Sequence, residues 1–194
     1  MEENQLKPLR KVVVIGGSAG SLEVLLNVLP KLEDIGSVGI VIVLHRRNSD
    51  DNILEELLRM KSGLPIKEIE DKTKLKPNRI HVAPSDYHLL FETDFTLSLD
   101  ISEKVNYSRP SIDIAFESAA ETFGQNLVAI LLSGANADGS NGLIAVNNAG
   151  GTSIVQLPET AEVPFMPEHA LEVASPRLVL KPSEMTSFIN NLRD

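Results

Sequence analysis

Three residues able to carry nucleophilic acyl transfer each follow a short apolar run. Ser18 follows VVVIGG, His45 follows VGIVIVL, and Asp138 comes shortly after NLVAILLSG. A serine hydroxyl attacks a carbonyl once an imidazole takes its proton, and a carboxylate fixes the imidazole tautomer and steadies the imidazolium. The stretch Gly16-Gly17-Ser18-Ala19-Gly20 fits G-x-S-x-G. That spacing clears side chains from a sharp strand-to-helix turn that presents the hydroxyl. A helix starting near Ala19 would aim free backbone N–H groups at a developing oxyanion.

Each residue also has an ordinary structural role open to it. A serine in a glycine turn before a helix acts as an N-cap, worth about 1 kcal/mol. A histidine ending an apolar strand can simply bond a carbonyl, and Asp138-Gly139 is a common turn dipeptide that also suits the start of the next helix. The glycines could instead cradle a phosphate. A dinucleotide fingerprint wants G-x-G-x-x-G and an acid ending the second strand, however, and here that strand ends in His45 with no Walker lysine present. The other histidines, His81, His88 and His169, lack zinc-site spacing. NADGSNG (136–142) lacks the acidic ligands of a calcium loop. The expectation is therefore a site without cofactor or metal, and the absence of cysteine removes thiolate chemistry and disulfides.

The elements needed to hold three strand-end residues together can be read from hydrophobic periodicity. KVVVIGG and VGIVIVLH are short, β-branched apolar runs, as expected of strands buried on both faces. Between them, Leu22, Leu25, Leu26 and Leu29 recur at helical spacing, with Pro30 ending the helix. SDDNILEELLRMKSG follows as a helix capped by Ser49 or Asp50 and closed by Gly63. PIKEIE, RIHVAP, YHLLFE and FTLSLD, split by turns, read as small antiparallel strands. Next come a helix through IDIAFESAAETFG, a strand NLVAILLSG, a helix GLIAVNNAGG, a strand TSIVQ, and helices in MPEHALEVA and PSEMTSFINNL. The fold class expected is α/β: a three-layer, doubly wound, mostly parallel sheet with helices on both faces and a small antiparallel hairpin region. Residues 1–10 read as a short polar tail and 11–194 as one catalytic domain.

Composition narrows the function further. A net charge of −9 argues against nucleic acid as a partner, because phosphate contacts need a basic face. The short basic groups, Lys7, Arg10 and Lys11 together with Arg46 and Arg47, read as solvated edges. With 4% aromatic residues and no tryptophan, a stacking platform for bases or sugars is not expected. The N-terminus has no signal-peptide core and no apolar run approaches the ~20 residues of a membrane span, so no membrane insertion and a cytoplasmic location are expected.

Six ordered motifs, VIGGSAGS (14–21), VLHR (43–46), HVAPSDYHL (81–89), RPSIDIAFESAA (109–120), LLSGANADGSNG (131–142) and VPFMPEHAL (163–171), resemble the catalytic domain of the CheB chemotaxis protein-glutamate methylesterases. The resemblance runs from about residue 11 to 190. It implies a cytoplasmic serine hydrolase that demethylates glutamyl methyl esters on methyl-accepting chemoreceptors, releasing methanol, and in many members deamidates receptor glutamines. It carries the nucleophile onto Ser18, the base onto His45, the orienting carboxylate onto Asp138 and the oxyanion donors onto the Ala19 and Ala135 amides. A small-molecule ester hydrolase and a non-catalytic receptor-binding scaffold are the alternatives. The chain departs from the family pattern at Ser21, usually glycine, at 133–139, commonly T-G-M-G-x-D-G, and at Arg46-Arg47. Only about ten residues precede the first strand. If the chain is complete, control by a covering N-terminal receiver domain is not expected.

Overall fold

The computed structural model describes residues 8–46 and 53–193. Ten strands and six helices succeed one another as β1 (Lys11–Gly17), α1 (Ser21–Val28), β2 (Val38–Leu44), α2 (Ile53–Lys61), β3 (Ile66–Glu68), β4 (Thr73–Lys74), β5 (Arg79–Val82), β6 (His88–Phe91), β7 (Thr96–Asp100), α3 (Ile112–Phe123), β8 (Leu127–Leu131), α4 (Ser140–Asn148), β9 (Thr152–Gln156), α5 (Phe165–Ala174), β10 (Leu178–Leu180) and α6 (Pro182–Asn190). Seven strands form one sheet in the order β10-β9-β8-β1-β2-β5-β3, and all its pairings are parallel. The remaining three form an antiparallel sheet, β4-β7-β6.

Strand alternation splits the core into two layers. Val12, Val14, Val41 and Val43 point to one face, where α3, α4, α5 and the small sheet supply Ile112, Phe116, Leu143, Met166 and Leu97. Val13, Ile15, Ile40 and Ile42 point to the other, covered by Leu25 of α1, Leu58 of α2 and Ile189 of α6. This is the doubly wound arrangement expected from the sequence. β1 lies in the middle, and the strand order reverses between it and β8, which opens a crevice at their carboxyl ends.

Several local expectations are corrected. PIKEIE and RIHVAP do not join an antiparallel hairpin: β3 and β5 extend the parallel sheet, and only β4, β6 and β7 run antiparallel. Short half-polar strands look alike in either setting, so their partners decide the matter. Pro30 does not end α1 abruptly but sits inside a 3-10 turn, Leu29–Lys31, that follows it. β10, which no pattern in PRLVL signalled, adds the edge strand beside β9. The caps proposed at Ser49 and Asp50 lie outside the described residues.

Candidate active site

Strand register brings the first two candidates together. β1 and β2 pair in parallel through Gly17 and Leu44, and Ser18 and His45 are the next residues of each chain. The His45 amide donates to the Gly17 carbonyl at 3.0 Å, while the Ser18 amide donates to the Ser133 carbonyl after β8 at 2.9 Å. Adjacent strands lie ~4.8 Å apart, so the serine and histidine stand side by side at the crevice.

The turn around Ser18 is closed by Ser21. Its hydroxyl donates to the Ser18 carbonyl at 2.5 Å and its amide to the same oxygen at 3.1 Å. Gly17 makes room for this serine, since a Cβ there would stand 2.5 Å from Ser21 Cβ. Gly16 makes room for α3 in the same way: a Cβ there would stand 2.4 Å from Ile112 Cγ2. The glycines therefore serve close approach. The helix begins at Ser21, two residues later than expected.

Asp138 is fully buried and gathers five donors. His45 Nε2 lies 2.7 Å from Oδ2, and the Ile112 amide donates to the same oxygen at 2.7 Å. The Asp113 amide and Ser111 hydroxyl donate to Oδ1 at 3.0 Å, and Asn106 Nδ2 at 3.2 Å. Asp138 thus sits at the N-terminus of α3, where free amides and the helix dipole favour an anion. Burial by itself would raise its pKa; the His45 hydrogen bond and the Ile112 and Asp113 amides outweigh that and bring it down to about 2. Its role is not to cap the helix that follows it, because Gly139 holds that position.

With Nε2 committed to the carboxylate, His45 presents Nδ1 as its basic nitrogen. Nδ1 faces Ser108 Oγ at 3.5 Å and Asn136 Nδ2 at 3.4 Å. Among the described residues no hydrogen bond joins the Ser18 hydroxyl to His45. Such contacts are commonly loose in an unliganded site and tighten around substrate. The Ala19 and Ala135 amides donate to no group among the described residues, and both residues are exposed. Those two N–H groups are available to an incoming oxygen.

Several residues that build the site were passed over in the sequence. Asn106 and Tyr107 both have positive φ, 50° and 61°, in a tight turn closed between Val105 and Ser108. Asn106 Nδ2 donates to Asp113 Oδ2 at 3.1 Å as well as to Asp138, and Tyr107 at the tip is 99% exposed. His88 donates Nε2–H to the Glu103 carbonyl at 2.9 Å and accepts the Ser111 amide on Nδ1 at 3.1 Å, which fixes the end of α3. Ser133 Oγ ties the Ala19 carbonyl (2.7 Å) to the Val163 amide (2.9 Å). RPSID carried one readable signal, a serine N-cap with an acid two residues on, but nothing in it told that the cap would serve a distant carboxylate.

A cleft of about 520 Å³ opens beside His45, lined by Arg46, Asp86, Lys104, Tyr107, Ser108 and Arg109. Arg46 is not a solvated edge: it pairs with buried Glu55 at 2.7 Å and reaches Glu68 at 3.6 Å. Arg47 lies outside the described residues. His169 bonds Ser140 at 3.0 Å and His81 is buried in β5, so neither joins the site.

Comparison with known proteins places the chain and its fold. The family model described as CheB methylesterase matches residues 13–189. A Leptospira interrogans protein, provisionally named a protein-glutamate methylesterase/protein-glutamine glutaminase, is 42% identical over 170 residues, covering 88% of each chain. The protein-glutamate methylesterase/protein-glutamine glutaminase of Thermotoga maritima is 34% identical over 165 residues, and the match spans 84% of this chain and 48% of that one. The crystal structure of the Thermotoga maritima CheB methylesterase catalytic domain superposes with a TM-score of 0.89 at 32% identity, covering 94% of this chain and 98% of that one.

Proposed function

The chain belongs to the CheB methylesterase family, and we propose that it hydrolyses γ-glutamyl methyl esters on a signalling protein, with Ser18 as nucleophile, His45 as general base and Asp138 as orienting carboxylate. The observation that carries this reading is the 2.7 Å contact between His45 Nε2 and Asp138 Oδ2, with Ser18 beside His45 in the strand register. Ser18 Oγ attacks the ester carbonyl while its proton passes to His45 Nδ1. The Ala19 and Ala135 amides receive the oxyanion. Collapse of the tetrahedral intermediate expels methoxide, which leaves as methanol with the proton from His45. Water, activated by the same nitrogen, then releases the glutamate and restores Ser18. A glutamine side chain enters the same sequence with ammonia as the leaving group.

The substrate protein we propose is a methyl-accepting chemoreceptor or a related signalling protein. The open cleft beside His45 supports a side chain presented on a protein surface, and its Lys104 and Arg109 supply positive charge beside a single carboxylate, Asp86, in an acidic chain. No helix among the described residues is long and apolar enough to cross a membrane. Methanol release from a methylated receptor fragment tests the assignment. Ser18→Ala is expected to abolish it while binding persists. Unchanged release sinks the triad, faster cleavage of generic esters than of receptor favours a small-ester hydrolase, and binding without turnover in the parent protein favours a scaffold.

A further inference from the structure

A second cleft, of about 220 Å³, lies where the small antiparallel sheet meets the edge of the parallel sheet, lined by Lys67, Thr73, Lys74, Lys76, Arg79 and His81. Strand geometry explains the clustering. Lys67 on β3 pairs directly with His81 on β5, and Arg79, two residues before His81, shares its face. Lys74 and Lys76 approach from β4 and the residues that follow it. Four cations thus line one small cleft in a chain whose net charge is −9.

Local carboxylates neutralise this charge only in part. Lys67 reaches Glu70 at 3.8 Å, and Lys74 holds Asp94 at 3.1 Å. Lys76 and Arg79 have no carboxylate partner among the described residues. At the base of the cleft His81 is 1% exposed, and its Nδ1 has no hydrogen-bond partner. A buried polar nitrogen without a partner costs stability and calls for an explanation. Desolvation first, then Arg79, Lys67 and Lys76, outweigh a bond to the Ile40 backbone and lower its pKa to about 4, which leaves the ring neutral at pH 7.

We propose that this cleft binds the phosphate group of a small anion, with Lys76 and Arg79 as its charge partners and His81 Nδ1 as its buried hydrogen-bonding contact. Unpaired cations match a doubly charged oxyanion better than a single carboxylate. The remaining hydroxyl proton of hydrogen phosphate, or of a phosphomonoester bound as its monoanion, supplies the donor that neutral Nδ1 lacks. The volume admits a phosphate with a short organic tail, and no Phe, Tyr or Trp lines it to stack a nucleobase. The site is separate from the triad, since no residue lines both clefts.

Histidine imidazole NMR on the intact protein tests the proposal. Potassium phosphate is expected to shift the His81 signals saturably, whereas potassium chloride at matched ionic strength does not. Lys76→Gln with Arg79→Gln, both outside the catalytic machinery, should weaken binding by about tenfold or more and leave ester hydrolysis unchanged. A parallel titration with glycerol 3-phosphate separates the sources: tighter binding than phosphate identifies an organic phosphate, and equal or weaker binding identifies the free ion. No saturable shift, an equal shift with chloride, or an undiminished shift in the double variant overturns the proposal. Neither activity nor the triad enters this readout, so its failure leaves the proposed esterase reaction standing.

Discussion

Asn106 spans two buried carboxylates, donating through one Nδ2 to Asp138 at 3.2 Å and to Asp113 at 3.1 Å. One amide therefore ties the exposed Val105–Ser108 turn to the carboxylate that orients His45. This link is a positioning device, and it can be tested without disturbing the reacting groups. Asn106→Gly retains a residue at ease with positive φ and removes only the side-chain bonds. We expect kcat to fall about 10-fold to 100-fold, as for loss of hydrogen bonds to a charged group, with KM for a small ester nearly unchanged. Steady-state kinetics with thermal melts separate this from unfolding, and unchanged kcat at intact stability refutes the role.

Asp138→Asn keeps the shape but removes the charge that α3 and His45 share. An amide at this position can present N–H to the ring or to the helix amides, and either leaves a clash of donors. The expected loss in kcat is about 10³–10⁴-fold, as when a triad carboxylate is neutralised. Single-turnover kinetics on a chromogenic ester measure it, and a loss under tenfold speaks against Asp138 as the orienting group.

Lys104 is an exposed cation on the cleft beside His45. Lys104→Glu is expected to raise KM for an acidic protein substrate about three-fold to tenfold at low salt, and much less at high ionic strength. A small neutral ester should show no change. Equal effects on both substrates would assign the residue to local structure instead of encounter.

Asp113 and Asp138 respond to pH in opposite senses. For Asp113, burial, together with the Asp138 and Glu117 charges and against the Gly142 amide, raises the pKa to about 6. The unfolded value is roughly 3.9, so between those values the folded chain holds more protons. Its contribution is full below about pH 4 and lost as pH rises through 6. The Asp138 contribution is present above about pH 4 and disappears only as pH falls toward 2. His81 opposes this over the same window: its value falls from the ordinary 6.5 to about 4 on folding, so its contribution is lost as pH drops below 6.5. Asp113 is therefore read as a difference: between pH 5 and pH 7.5 the melting temperature of Asp113→Asn is expected to rise relative to that of the parent. Calorimetry across pH 4–8 decides the point; a slope equal to the parent's removes Asp113 from the account.

Much of this site was legible in the chain because it uses strand ends. Ser18, His45 and Asp138 each follow a strand whose apolar run is unmistakable, and parallel pairing then fixes two of them side by side. What escaped reading depends on long-range partners. Ser111, Asn106 and His88 look like turn or strand residues until α3 docks and turns its N-terminus toward Asp138. The split of four short segments between two sheets was equally invisible, since Ile66–Glu68 and His88–Phe91 differ only in which edge they meet. Ser21, a departure from the family pattern, closes the Ser18 turn through its hydroxyl and does not disturb it.

The five donors around Asp138 come from three separate stretches of chain: residue 45, residue 106 and residues 111–113. Catalytic readiness is consequently a report on assembly. A chain still on the ribosome, or one whose third helix has come away, has its serine but lacks the oriented imidazole. Under the proposed mechanism, hydrolytic power requires all of these distant contacts to be in place at once.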